Sequence, residues 1–110
     1  MPKVKVPNYQ ARDRVQALSE FQANNIFGQW VKGQDEMLRY VVFSYGQHWP
    51  MFIYDPQTYR WFSNASKYSR TTSKHHGQAH PLTDTTPLHV DDMVKVAHAG
   101  ITAIIEGEAA

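Results

Sequence analysis

The chain has 110 residues, 42% of them hydrophobic, with eleven Lys and Arg against ten Asp and Glu and no cysteine. That is enough chain for one domain, and it excludes disulfide frameworks, thiolate metal sites and cysteine nucleophiles. The net charge of +1 selects no partner by itself, and no window is apolar over the length of a membrane span.

The first eight residues, with Pro2 and Pro7, read as an extended arm. Residues 9–24 read as a helix: Asp13 and Gln16 have capping-box spacing, and Val15, Leu18 and Phe21 or Gln22 mark one face. Asn24-Asn25 is its expected stop, because Asn tolerates the left-handed conformation. Ile26 to Val31 is a short strand, followed by a turn at Lys32-Gly33-Gln34-Asp35. Residues 37–45 are β-branched and aromatic on both faces except at Arg39 and Ser44, as in a central strand. Met51 to Tyr54 is the next strand. Asp55-Pro56-Gln57-Thr58 has the chemistry of a β-turn, and Tyr59 to Ser63 pairs back.

A short helix is expected over 70–79, capped by Ser69 or Thr71 and weakened at Gly77. Residues 80–88 read as a loop. Asp91 or Thr86 begins a last helix with Val90, Met93, Val94 and Ala97 on one face and Gly100 at its end. Ile101 to Ile105 continues apolar, and 106–110 reads as a frayed tail. The expected fold class is therefore α+β in a single small domain, 1–110. An antiparallel β-meander of three to four strands (about 26–63) is flanked by an N-terminal helix and two short C-terminal helices.

Charge is unevenly placed. Residues 56–83 hold Arg60, Lys67, Arg70 and Lys74 and no carboxylate, which is a weak anion-binding signal on a near-neutral chain. Within that stretch Ser69, Thr71, Thr72 and Ser73 surround a helix start, where unpaired N–H groups suit a phosphate. Arg70 and Lys74 are within reach of the same point, and Tyr68 and Trp61 are candidate stacking partners. Capping alone also explains the hydroxyls, since Ser and Thr cap helices far more often than they bind ligands.

His75, His76 and His80 form a second cluster, with the last two at i, i+4, a spacing used in zinc sites. Neither a glutamate between them nor any cysteine supports that chemistry, so solvated histidines are the simpler reading. Trp30, Tyr40, Tyr45, Trp49, Tyr54, Tyr59 and Trp61 make the meander aromatic. Core packing accounts for most of these rings, and one sheet face is left as a docking surface or a base-stacking platform. The chain has no phosphate-loop, dinucleotide-binding, kinase, hydrolase-elbow or calcium-loop motif, and nothing positive points to an enzyme or a cofactor.

Several of these segments together carry a resemblance. They are Ser44-Tyr45-Gly46, His48-Trp49-Pro50, Tyr54-Asp55, Trp61, Asn64, the run from Lys67 to His75, and Met93, Ala97-His98 and Gly100. The set resembles a family of small tailed-bacteriophage proteins with no assigned activity, over about residues 40–100. The family pattern has Gln where this chain has His76. The resemblance implies a phage source and a host-cell cytoplasmic setting.

The leading expectation is a non-enzymatic accessory binding module for nucleic acid or another phosphate-bearing ligand, acting through 67–76 with Arg60 and Trp61. A protein-interaction factor acting in host takeover or anti-defence is the alternative, and a metal or hydrolytic protein using the histidines is third. A homodimer is expected to help so small a core, and no membrane partner is expected.

Overall fold

The computed structural model describes residues 4–46, 49–66 and 70–100, with the backbone alone described at 70–73. Seven strands form one mixed sheet in sequential order: β1 (Val4–Lys5), β2 (Phe21–Gln22), β3 (Ile26–Lys32), β4 (Leu38–Ser44), β5 (Pro50–Asp55), β6 (Arg60–Asn64) and β7 (Thr86–Leu88). From β2 to β6 every neighbour is antiparallel. The two outer pairs, β1 with β2 and β6 with β7, are parallel. Parallel neighbours need a crossover, and each crossover here carries a helix. Helix α1 (Ala11–Gln16), entered through a 3-10 turn at Asn8–Gln10, links β1 to β2, and α2 (Arg70–Ala79) links β6 to β7. Helix α3 (Val90–Ala99) follows β7.

Strand alternation divides the core into two layers. Tyr40, Val42 and Phe52 face α1 and α2, packing with Ala11, Val15 and Ala79. Val41, Phe43, Ile53 and Phe62 face the other way, onto Met93, Val96 and Ala97 of α3. The domain is α+β as expected, but the expected three to four strands undercount a sheet of seven. The unread strands are the outermost, of two or three residues each, too short to show an alternating pattern.

Two helix expectations are also corrected. The helix expected over 9–24 stops at Gln16, because Leu18 takes φ 55°. Its N–H donates to Val15 O, and Ser19 N–H donates to Arg14 O, which together form a Schellman turn with leucine in the position glycine usually fills. Phe21, expected on the helix face, instead lies in β2 opposite Gly28. The last helix starts at Val90, with His89 Nδ1 accepting from Asp91 N–H as its N-cap, in place of Asp91 or Thr86. Thr86 and Pro87 belong to β7, inside the span read as a loop.

The far end of α3 is held by Arg39. This residue is 3% exposed, donates to Ala97 O and pairs with Asp35. A cation on the last carbonyls of a helix complements its macrodipole. Burial opposes ionisation of Asp35, but the Arg39 guanidinium wins and lowers its pKa. Gly100 then turns the chain at φ 84° against this pair. No helix among the described residues is long and apolar enough to cross a membrane.

Candidate functional site

Helix α2 places the segment singled out by its composition. Lys67, Tyr68 and Ser69 lie outside the described residues, and Arg70, Thr71, Thr72 and Ser73 form the helix's first turn. Lys74 is the first side chain that can be followed, and it is exposed. It borders an open depression of about 450 Å³ lined by Tyr9, Arg12, Asp13, Lys74, Gly77 and Gln78. The depression lies where α1 and its leading turn meet α2. Two cations and one carboxylate line it, so its local charge is positive. Tyr9 is 78% exposed and offers a free ring face at the wall.

Arg12 has a structural task as well. Its guanidinium donates to Gly77 O at 2.7 Å and to His80 O at 3.2 Å. It therefore satisfies carbonyls at the C-terminal end of α2, where a cation is favoured. Gln16 donates to Pro81 O, and Asn8 donates to Gln78 Oε1, completing a polar seam between the two crossovers. Gly77 has nothing within 4 Å of where a Cβ would stand. A mid-helix glycine costs about 1 kcal/mol relative to alanine. No contact among the described residues requires it.

The inner face of α2 carries the histidines, and they do not converge. His75 is 4% exposed, and its Nδ1 shares a 2.9 Å hydrogen bond with the buried Ser44 Oγ of β4. Its ring also lies against Tyr45. The His76 ring packs 4.4 Å from Phe52 and 6.0 Å from His80, and its Nε2 is buried with no hydrogen-bond partner among the described residues. His80 Nδ1 accepts from Leu82 N–H, which keeps the ring proton on Nε2 and denies that nitrogen to a metal. Among the described residues no group of three His, Cys, Asp or Glu is placed to hold a metal ion. Burial lowers the pKa of all three imidazoles, helped by Lys74 at His75, by His80 at His76 and by Arg12 at His80.

Trp61 and Arg60 part company. Trp61 belongs to a cross-strand aromatic row, Trp30–Tyr40–Tyr54–Trp61, in which each ring's strand partner is the next residue along. Trp61 lies 5.2 Å from Tyr54 and 6.3 Å from Tyr40, on the face that carries α1 and α2. The Schellman turn after α1 caps this row: Trp30 Nε1 donates to Leu18 O and Tyr40 Oη donates to Ser19 O. Burial pushes the Tyr40 phenol pKa far up, with Glu20 adding to it. Arg60, one residue from Trp61, is exposed and points to the opposite face by strand alternation. It does not join Lys74. Tyr45 and Tyr59 are exposed and both adopt left-handed backbone, φ 67° and 57°.

Sequence reading missed Tyr9, Arg12, Asp13, Gln78 and the partnership of Ser44 with His75. Arg12 and Asp13 sit near the start of a helix expected to be ordinary. Only the α1–α2 contact, which neither segment announces, brings them to Lys74. Comparison with protein-family models, curated proteins and solved structures gives no match for this chain.

Proposed function

We propose that the protein is a non-enzymatic binding module, a phage accessory factor that takes nucleic acid or another phosphate-bearing ligand along the outer face of α2. The observation that carries this reading is the open depression bordered by Arg12, Tyr9, Gly77 and Lys74, the last of these being the final cation of the carboxylate-free stretch of the sequence. Lys74 supplies an exposed cation to meet a phosphate. Tyr9 supplies a ring for stacking, worth about 1–3 kcal/mol per base in single-strand binders. The bare backbone at Gly77 admits close approach. Arg60 and Trp61, expected in the same site, are not part of this surface.

Amide shift mapping with a short single-stranded oligonucleotide tests the reading. Signals of Tyr9, Lys74, Gly77 and Gln78 should move together and saturate. Shifts confined to other surfaces, or none at low salt, reject it.

A second reading rests on Tyr59. It is 80% exposed in a left-handed conformation that costs about 1 kcal/mol for a residue with a Cβ. Asn or Gly would serve the turn better, so an exposed tyrosine there suits a contact with a host protein. A salt-tolerant complex lost on Tyr59→Asn would support this reading, and a partner that binds this variant unchanged would count against it.

A further inference from the structure

Helix α2 docks on the sheet through imidazoles, where a crossover helix ordinarily offers aliphatic side chains. From Lys74 onward its buried residues are His75 and Ala79, with His76 half-buried between them and His80 just past its end. His75 reaches β4 at Ser44, and His76 and His80 both lie against Phe52 of β5. These contacts suit neutral rings. An imidazolium donates from both ring nitrogens, and the buried Nε2 of His76 has no acceptor among the described residues.

Among the described residues, the groups facing the cluster offer a charged imidazole no anion. From α1 comes the Arg12 guanidinium, bonded to His80 O, while Lys74 lines the outer depression and acts on His75 only through its charge. The sheet contributes Ser44 and Phe52, and the Tyr45 ring, just past β4, lies against His75. Asp13, the carboxylate that α1 brings to α2, lines the outer depression beside Lys74 and Gln78. Asp55 of β5 accepts from Gln57 N–H and Thr58 Oγ1 in the β5–β6 turn.

We propose that α2 is an acid-released element: protonation of the His75–His76–His80 cluster undocks it from β4 and β5 while the central sheet and α3 remain folded. The lowered imidazole pKa values agree in sign. A histidine whose docked pKa lies below its free value near 6.5 takes up its proton more readily once undocked. Docking is therefore at full strength above that value and weakens as pH falls through it. Between its free and its docked pKa, each histidine that gains a proton on undocking weakens docking about tenfold per pH unit.

Hydrogen exchange of the full chain at about pH 7.5 and about pH 5.5, corrected for intrinsic rates, tests this. Amides of α2 should lose at least about tenfold more protection than those of β4 and β5. Protection retained in α2 at the lower pH, or lost there in step with the sheet, overturns the proposal. His76→Phe keeps a ring on Phe52 and should reduce the response by that histidine's own share, about tenfold per pH unit, whereas His98→Gln, on α3, should leave it intact; the reverse pattern overturns it. Should His76→Phe fail to fold, a wild-type NMR titration decides. The His75 and His76 ring signals should titrate together with the α2 amides, and rings that titrate while those amides stay unmoved refute release.

Discussion

Gly28 and Gly77 show how differently one residue type is used. A Cβ at Gly28 would stand 2.4 Å from Tyr40 Oη and 2.6 Å from the Phe21 ring, inside the close-packed face beneath the aromatic row. A Cβ at Gly77 would meet nothing. Gly28→Ala should therefore destabilise by about 2 kcal/mol through overpacking, while Gly77→Ala should stabilise by about 1 kcal/mol through helix propensity. Urea denaturation of the two variants checks both signs. The same comparison separates what the fold needs from what it merely carries. Gly28, Leu18 and Arg39 are fixed by packing, a Schellman turn and a helix end. Gly77 and Tyr59 sit in positions that other residues would fill at lower cost, which is why the proposed contacts centre on them.

At the scale of elements, α2 is a helix with two polar faces: imidazoles inward, Lys74 and Gln78 outward. Its anchoring to α1 depends on Arg12. Arg12→Ala should cost about 1–2 kcal/mol, because Gly77 O and His80 O lose a charged donor. Hydrogen exchange should show the loss first at the C-terminal end of α2, before α3 or the sheet responds. The central elements were legible in the sequence. β-branched and aromatic runs marked β3 to β6, the Asp-Pro pair marked the β5–β6 turn, and the limits of α2 matched its expected 70–79 span. The outer elements were not. β1, β2 and β7 are short parallel or edge strands whose pairing is imposed by crossovers, so no local pattern betrays them. Phe21 looked like a helix residue because its spacing from Val15 and Leu18 is helical, yet Leu18 turns the chain before Phe21 is reached. The inward role of His75 was hidden too, since Ser44 pairs with it from 31 positions away.

Among the described residues, two helices cover one sheet face and α3 covers the other, and the outermost strands are poor templates for further pairing. β1 has two residues, and β7 carries Pro87, which has no N–H to donate. The histidine cluster sets the pH dependence of this assembly. Depressed imidazole pKa values mean that the unfolded chain binds more protons than the folded one below about pH 6.5. Stability should be greatest above that value and decline as pH falls, by up to about 1.4 kcal/mol per pH unit for each histidine charged only on unfolding. Urea midpoints between about pH 7.5 and about pH 5 would show the slope, and midpoints that rise on acidification would contradict it. The central claim is that the outer face of α2 binds phosphate-bearing ligands. Its most direct test is a fluorescence polarisation titration with short single- and double-stranded oligonucleotides over a salt series, using wild type and Lys74→Ala. Binding should be present at low salt and weaken steeply with added salt, and Lys74→Ala should lower the slope of log affinity against log salt by about 1. No binding at low salt, or a slope that Lys74→Ala leaves unchanged, would contradict it.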